Sequence, residues 1–278
     1  MVLIMTVRPE DANCAGMLVD ERIKEASGRS RSSTKDITHV PDMSHHTWLV
    51  TGTNRGIGFG IVQQLIASPS NEVLATCRNP SQATALAQLA ETAGGRLHII
   101  QLDVSDDTSV RRSVEQVSYI VGESGIDYLI NNAGMIEEVW TVPSTMNLAA
   151  LNREFQVNVI GPARVYQAYL PLVAKSQKKT IVNISSDLGS IGRNRGIMAT
   201  SYSITKSALN MLTYKERVER PDLIVIALDP GHVKTDMGGP TAPFEVPESV
   251  SGMLGVIGRL KAEDTGKFFS FRGEEHPW

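Results

Sequence analysis

From residue 47 onward, short apolar runs alternate with longer segments of helical periodicity. The first three runs are TWLVT, EVLAT and RLHIIQL, and a predicted helix follows each of them, over residues 56–68, 81–93 and 106–121. Three more runs, IDYLI, TIVNIS and LIVIAL, continue the alternation. Runs of Val, Ile and Leu without alternating polar residues are typical of strands buried on both faces, and helical connections between such strands make them parallel.

This alternation predicts an α/β fold with a doubly wound parallel sheet. Helices would cover both faces of the sheet, which gives the three layers of a Rossmann-like fold. We expect a single domain over residues 47–278, a length that can bury a sizeable core. In such a fold, ligands bind at the carboxyl ends of the strands.

Residues 1–46 have a different character. They are polar, lack sustained periodicity and include SGRSRSSTKD, which indicates a disordered N-terminal extension. MLVDERIKEA, residues 17–26, is compatible with one short helix. His39, His45 and His46 lie close together, but no fourth ligand accompanies them, so we do not expect a metal site.

The composition restricts the classes of partner. A net charge of −3 supplies no basic surface for nucleic acid or an anionic membrane. No stretch approaches the length of a membrane span, and the opening MVLIM is shorter than the apolar core of a signal peptide. Cys14 and Cys77 are too few for a disulfide framework, which is typical of a reducing compartment. We therefore expect a cytoplasmic protein.

The first apolar run leads directly into TGTNRGIG, residues 51–58, a glycine-rich turn between a predicted strand and a predicted helix. Gly52, Gly56 and Gly58 allow the backbone to reverse sharply and a bulky anion to approach it. Free N–H groups and the positive end of the helix dipole favour a pyrophosphate at that place. We expect the turn to bind a dinucleotide, although its spacing is not the commoner GxGxxG.

Two arginines indicate which dinucleotide binds. An acidic residue about 20 positions after the turn would grip the ribose 2′-hydroxyl of NAD. The residue 20 positions after Gly58 is Arg78 instead, and Arg55 lies inside the turn. Because arginine pairs bidentately with phosphate oxygens, both residues favour the 2′-phosphate of NADP(H). The alternative is that both are solvated surface residues.

Five further motifs follow in order along the chain. They are NNAG (131–134), NVIG (158–161), IVNISS (181–186), YSITK (202–206) and DPGHVKTDM (229–237). Together with TGTNRGIG, this set resembles the short-chain dehydrogenase/reductase family over about residues 47–278. SSDLGSIG, SALNMLT, PGHVKTDMGG and the closing FFSFRGEEHPW are similar to its carbonyl-reductase branch, near fungal ketoreductases of the norsolorinic acid type.

The resemblance implies two sets of site residues. The catalytic residues would be Asn158, Ser186, Tyr202 and Lys206. The cofactor-binding residues would be Gly52, Asn54, Arg55, Gly56, Ile57, Gly58, Arg78, Asp103, Val104, Asn132, Ala133, Gly134, Tyr202, Lys206, Pro230, Gly231, Val233 and Thr235. By the same resemblance, Asp103 and Val104 would flank the adenine, and Val233 and Thr235 would hold the nicotinamide carboxamide.

The catalytic set suits the reduction of a carbonyl group. Such a reduction needs a hydride at carbon, which the cofactor supplies, and a proton at oxygen, which the protein must supply. Tyr202 and Lys206 are neighbours on a helix because they are four residues apart, so we expect the Lys206 ammonium to lower the pKa of Tyr202 in a site shielded from solvent. Ser186 would hydrogen-bond the carbonyl oxygen. In the family, Asn158 would hold a water that relays protons to the lysine.

One departure from the family pattern concerns the serine. Ser186 and Tyr202 are 16 residues apart, a longer spacing than the family usually shows. We expect the extra residues in GRNRGIMAT, a loop able to shape the substrate entrance. The neighbouring Ser185 would point to the opposite face by strand alternation.

The substrate walls are predicted in three segments, 135–147, 188–200 and 237–260, with Trp140 and Met198 as candidate lining residues. Core packing is the alternative for both side chains. The glycines at positions 252, 255 and 258 permit either close packing or a mobile substrate lid.

The sequence therefore predicts an NADPH-dependent carbonyl reductase acting on a small to medium hydrophobic ketone, aldehyde or quinone. Two alternatives stay open: an NAD-dependent alcohol dehydrogenase working oxidatively, and a cofactor-binding sensor or scaffold without turnover. A serine hydrolase is disfavoured because no GxSxG motif is present, and HExxH is absent as well. Helices near 147–175 and 201–218 would form the contacts of a homodimer or homotetramer, if the chain assembles as related folds do.

Overall fold

The computed structural model describes residues 45–193 and 195–278. The short helix predicted at residues 17–26 and the disorder predicted N-terminal to residue 45 lie outside the described residues, as does Asn194 in a predicted substrate segment. The first described strand begins at His46, one residue before the predicted start of the domain.

In the described part of the chain, seven strands form one sheet, and all neighbouring strands are parallel. The strands are β1 His46–Thr51, β2 Asn71–Cys77, β3 Leu97–Gln101, β4 Tyr128–Asn131, β5 Thr180–Ile184, β6 Ile224–Asp229 and β7 Phe268–Ser270. Their order across the sheet is β3-β2-β1-β4-β5-β6-β7, so the direction of winding reverses between β1 and β4. The predicted doubly wound α/β fold is confirmed, and its ligand crevice is expected at the carboxyl ends of β1 and β4.

Helices connect the strands and cover both faces of the sheet. They are α1 Gly56–Ile66, α2 Thr84–Thr92, α3 Asp107–Val121, α4 Leu148–Phe155, α5 Gly161–Lys175, α6 Thr200–Glu219 and α7 Val246–Ile257. A π-helical turn over Gln156–Ile160 joins α4 to α5 without a break. A short 3-10 turn, Asp187–Gly189, follows β5.

Successive residues of β1 show why the strands lack polar alternation. Trp48 and Val50 belong to a core formed with α1, α2 and α7, whereas Leu49 belongs to a second core formed with α3 and α5. Both faces of the strand are therefore buried, and an apolar side chain is favoured at each position.

Two features at the C-terminal side of the sheet differ from the prediction. The strand β7 was not predicted, since it is only three residues long. The predicted substrate loop over 237–260 is wrong in its second half, because residues 246–257 form α7, which packs against α1. A Cβ at Gly252 would lie 2.5 Å from the main-chain oxygen of Phe271, so this glycine serves close packing.

The described residues contain no helix long and apolar enough to cross a bilayer. They also contain no group of three or more His, Cys, Asp or Glu side chains arranged to hold a metal ion. His46, one of the three clustered histidines in the sequence, lies in β1 with its Nδ1 3.9 Å from Oδ2 of Asp127.

Candidate active site

The glycine-rich turn has no room for a side chain at Gly52 or Gly58. Gly52 has a φ of +71°, and a Cβ there would lie 2.9 Å from Cα of Ala133. A Cβ at Gly58 would lie 2.2 Å from the main-chain oxygen of Gly52 and 2.5 Å from Nδ2 of Asn132. The two glycines are therefore required for the turn to close against the segment after β4, which leaves the N-terminus of α1 facing the crevice.

Hydrogen bonds hold the NNAG segment, residues 131–134, against this turn. The hydroxyl of Thr51 accepts hydrogen bonds from the N–H groups of Asn132 and Ala133, both at 3.0 Å. The Asn132 amide donates to the carbonyls of Thr51 and Gly52, at 2.8 and 3.0 Å. Two motifs that are about 80 residues apart in the chain thus form one surface at the switch point of the sheet. Thr51 was not among the predicted site residues, although it is the first residue of the predicted TGTNRGIG turn.

Asn158 holds the segment that continues from NNAG. It is fully buried in the π-helical turn. Its side chain accepts from the N–H of Met135 and donates to the carbonyl of the same residue, both at 2.8 Å, and it donates to the Thr205 hydroxyl at 3.0 Å. Because both amide hydrogens and the oxygen are engaged, the side chain orients α6 and the loop after β4. A water relay through this residue would have to use its main-chain carbonyl.

Tyr202 and Lys206 lie one turn apart in α6. The Lys206 ammonium is 5.5 Å from the centre of the Tyr202 ring and donates to the carbonyl of Ile184, the last residue of β5, at 2.8 Å. Lys206 is only 4% exposed, whereas Tyr202 is half-buried. A Cβ at Gly134 would lie 3.7 Å from the Lys206 nitrogen and 3.4 Å from Oδ1 of Asn158, so the segment after β4 meets α6 at this point.

The pKa of Tyr202 does not follow the expectation from the sequence. Burial raises it above the ordinary value, and the negative charges of Asp229, Glu154 and Asp187 raise it further. The predicted lowering by Lys206 is therefore wrong for the chain without its cofactor. Burial also lowers the pKa of Lys206 to about 8, which Asp229 partly opposes. The three carboxylates were missed because they come from β6, α4 and the 3-10 turn, and no local motif connects them.

The two serines after β5 have different environments. The hydroxyl of Ser185 is buried and donates to Oδ1 of Asn210 in α6 at 2.5 Å. The hydroxyl of Ser186 is half-buried and accepts from the N–H of Leu188 at 3.2 Å, which caps the 3-10 turn. Since Ser186 acts there as an acceptor, its own hydrogen can be donated to a substrate oxygen. The geometry supports the choice of Ser186 over Ser185.

A polar cavity of about 700 Å³ lies beyond the carboxyl ends of β2 and β3. Arg78 and Asp103, two of the predicted cofactor residues, line it together with Arg112 of α3. Arg112 was missed because it sits on an ordinary polar helix face. Val104, by contrast, has its side chain buried in the core, where a Cβ at Gly161 would lie 2.8 Å from its Cγ2. An adenine could therefore contact Val104 only through its backbone.

Arg55 makes an ion pair across the crevice. Its Nη1 lies 2.6 Å from Oδ2 of Asp236, in the loop after β6, and both side chains are well exposed, at 69% and 74%. The adjacent Thr235 also approaches the turn, since a Cβ at Gly56 would lie 3.4 Å from its Cγ2. Of the other predicted residues of the turn, Asn54 is exposed and Ile57 packs against the core.

The loop after β6 forms the opposite side of the crevice. The N–H of Gly231, which has a φ of +76°, donates to Oδ1 of Asp229 at 3.0 Å. The carbonyl of Pro230 accepts from the Ser249 hydroxyl in α7 at 2.7 Å, and the buried Val233 forms an isolated bridge with Phe244. These contacts hold both ends of the loop, and Thr235 lies on the side of the loop that faces the crevice.

Two of the predicted substrate walls contact each other. The N–H of Ala199 donates to the carbonyl of Val139 at 2.7 Å, and the Thr200 hydroxyl donates to the carbonyl of Thr141 at 2.8 Å. Trp140, between these two acceptors, has 84% of its surface exposed. Trp140 is therefore not a core residue, which removes the alternative for that side chain and leaves it available to a ligand.

Comparison with known proteins assigns the family. A family model described as short chain dehydrogenase matches residues 46–245. The chain belongs to the short-chain dehydrogenase family. This match covers the glycine-rich turn, NNAG, Asn158, Ser186, Tyr202 and Lys206, so the predicted resemblance is confirmed.

Members of the short-chain dehydrogenase family that are similar to this chain include carbonyl reductases and a ketoreductase, as the predicted branch implies. The chain is similar to the structure of carbonyl reductase Sniffer of D. melanogaster, with 32% identity, a TM-score of 0.80 and coverage of 84% of this chain and 100% of that one. It is similar to an NADPH-bound carbonyl reductase from chicken fatty liver, with 35% identity, a TM-score of 0.79 and the coverages 84% and 100%. It is 32% identical over 246 residues to norsolorinic acid ketoreductase of Aspergillus parasiticus, covering 83% of this chain and 90% of that protein. The chain is an oxidoreductase whose structural neighbours include carbonyl reductases.

Proposed function

We propose that this protein is a carbonyl reductase that uses NADPH to reduce a ketone, aldehyde or quinone of a small to medium hydrophobic molecule, with Tyr202 as the proton donor. The observation that carries the proposal is the position of Lys206. Its ammonium lies between the ends of β4 and β5, beside Gly134 and one helical turn from Tyr202. The proton donor and the dinucleotide crevice therefore share one edge of the sheet.

The residues of the crevice fit a dinucleotide. An added Cβ at Gly52 or Gly58 would collide with neighbouring atoms, so only glycine allows the backbone to come this close at the turn. The N-terminus of α1 would hold the pyrophosphate, and Arg55 and Arg78 would hold the 2′-phosphate. Thr235 would hold the carboxamide of the nicotinamide ring. When bound, the cofactor supplies the hydride.

The proposed reduction requires a protonated Tyr202. Because burial and three carboxylates raise its pKa, the hydroxyl keeps its proton at neutral pH and can give it to a carbonyl oxygen. Ser186 donates a hydrogen bond to the same oxygen and stabilises the negative charge that develops there. Lys206 supplies the positive charge that the tyrosinate requires after the proton has left.

The proposal is tested by measuring NADPH consumption with a panel of hydrophobic ketones, aldehydes and quinones. We expect turnover with several members of the panel and a preference for NADPH over NADH. The variant Arg78→Asp should reverse that preference, whereas Arg111→Asp, the same charge change at an exposed position of α3, should leave it unchanged. Binding of NADPH without turnover of any carbonyl would identify the sensor or scaffold instead. An unchanged preference in Arg78→Asp would remove the argument for the 2′-phosphate.

A further inference from the structure

Residues 274–278, here called the β7 extension, follow β7 and turn back over the sheet. The N–H of His276 donates to the carbonyl of Phe268 at 2.7 Å, and its ring meets the Phe268 ring edge-on at 5.0 Å. His276 is 5% exposed, so this imidazole is a buried polar group that needs hydrogen-bond partners.

Both ring nitrogens of His276 have such partners, and they come from different sides. Nδ1 lies 2.9 Å from Nη1 of Arg193, and Nε2 lies 3.2 Å from Oδ2 of Asp229, the last residue of β6. A guanidinium can only donate, so Nδ1 is the acceptor and the ring proton is on Nε2, where it is donated to the carboxylate. The neutral imidazole therefore connects Asp229 to Arg193.

Arg193 belongs to the loop after β5, described over residues 185–193 and 195–199 and here called the β5 loop. The β7 extension contacts this loop at two more places. The Ser190 hydroxyl donates to the carbonyl of Pro277 at 2.5 Å, and the N–H of Gly192 donates to the main-chain oxygen of Trp278 at 3.1 Å. A Cβ at Gly192 would lie 2.9 Å from Cβ of Pro277, so the two backbones pack closely. Three successive residues of the β7 extension thus each bind the β5 loop.

The β5 loop carries or borders the reacting groups. It includes Ser186 near its start and leads into α6 two residues before Tyr202. Arg193 Nε also lies 4.0 Å from Oδ2 of Asp187, the residue next to Ser186. Asp187 and Asp229 are two of the three carboxylates that raise the pKa of Tyr202. The contacts from Asp187 through Arg193 and His276 to Asp229 therefore connect the residue next to Ser186 with the end of β6.

We infer that His276 is a positioning residue for the reaction, which fixes the β5 loop so that Ser186 and the substrate wall keep their places relative to Tyr202. This inference rests on the carbonyl reduction proposed above. Loops of this length are the flexible parts of a domain unless they are anchored, and a misplacement of about 1 Å at a reacting group can cost about 100-fold in rate. The β7 extension provides one such anchor, in which the buried His276 side chain has a partner on each side.

The test compares two substitutions of His276. In H276L an apolar side chain of similar bulk removes both hydrogen bonds. In H276Q the amide keeps one donor for Asp229 and one acceptor for Arg193. We expect H276L to lower kcat/KM for the carbonyl substrate by about 10- to 100-fold, with an NADPH dissociation constant within about two-fold of wild type. H276Q should recover most of this loss. H98L, the same change on β3 at the other edge of the sheet, should leave both constants unchanged.

A second arm probes the loop itself and needs no substrate. Cleavage by trypsin after Arg195, inside the β5 loop, should become faster in H276L than in wild type or H276Q. R193Q should reproduce the loss in kcat/KM, and the double variant H276L/R193Q should lose no more than either single variant, because both break the same connection.

The inference is overturned if folded H276L keeps a wild-type kcat/KM and a wild-type rate of cleavage at Arg195. It is also overturned if NADPH binding and carbonyl turnover fall in parallel, because a general loss of folded structure would do this. If the wild-type protein reduces no carbonyl at all, the proposed function fails, whereas the trypsin comparison still decides whether His276 anchors the loop.

Discussion

The ammonium of Lys206 lies 5.5 Å from the centre of the Tyr202 ring, and both groups face the same edge of the sheet. The pKa of Tyr202 is raised in the chain without cofactor, first by burial and then by the negative charges of Asp229, Glu154 and Asp187. The pair therefore starts the proposed reaction with a neutral phenol, and the lysine stabilises the tyrosinate only once the proton has left.

Removing the Tyr202 hydroxyl should abolish turnover without abolishing cofactor binding. A positioned general acid contributes about 10²- to 10⁴-fold in rate, so we expect kcat of Tyr202→Phe to fall by at least that range. NADPH affinity, measured by fluorescence titration, should stay within about two-fold, since the phenyl ring remains in place. Tyr214→Phe, the same change at a partly exposed position of α6, is the matched control. Near-normal turnover in Tyr202→Phe would refute the assignment of the proton donor.

The pH dependence of cofactor capture should report Lys206. Burial lowers its pKa to about 8, so the ammonium is present below that pH and is lost as the pH rises through it. The ratio kcat/KM for NADPH reports groups of the free enzyme, and we expect it to decline above pH about 8. In Lys206→Met the ratio should be low at all pH values and lack this decline, whereas Lys215→Met should keep it. If the decline persists in Lys206→Met, a group other than Lys206 causes it.

The arrangement of the sheet was predictable because its signal is local. The apolar runs of β1, β2, β4, β5 and β6 are almost entirely buried, and a helix of recognisable length follows most of them. The strand β7 and the helix α7 were not predicted, for two different reasons. Phe268–Ser270 is too short to show a period, and α7 contains glycines that lower its helix propensity. Gly252 is nevertheless needed there, because Phe271 approaches it from another part of the chain.

The motifs also indicated residues that the fold brings together, but not the electrostatics around them. Gly58, Asn158 and Lys206 lie together at one edge of the sheet, as their motifs predicted. The raised pKa of Tyr202 depends on carboxylates from three separate elements, and the Arg55–Asp236 pair joins residues 181 positions apart. Contacts of this kind depend on tertiary structure, so neither composition nor spacing could indicate them.

The Arg55–Asp236 ion pair should compete with the 2′-phosphate of NADPH. The pair is well exposed, so it contributes at most about 1 kcal/mol. Asp236→Asn releases the guanidinium, and we expect the NADPH dissociation constant to fall by about two- to five-fold at low salt, with that of NADH unchanged. Asp222→Asn, which breaks the exposed pair with Arg220, is the control. Weaker NADPH binding in Asp236→Asn would show instead that Asp236 orders Arg55 for the cofactor.

The buried carboxyl of Glu216 should make the stability of the fold depend on pH. Its Oε2 accepts from the Asn183 amide at 2.9 Å, its Oε1 has no hydrogen-bond partner in the described part of the chain, and burial raises its pKa to about 8. The unfolded chain releases this proton near the ordinary pKa of 4.5, so between pH 4.5 and about 8 the folded state binds more protons than the unfolded state. The free energy of unfolding should therefore fall as the pH rises through this window, by about 5 kcal/mol at most. Urea unfolding of Glu216→Gln should lack that decline, whereas the exposed substitution Glu115→Gln should keep it. Parallel pH profiles for wild type and Glu216→Gln would show that this carboxyl is already ionised in the folded protein. The Asn183 amide, which donates to both Glu216 and Thr213, would then stabilise the charge.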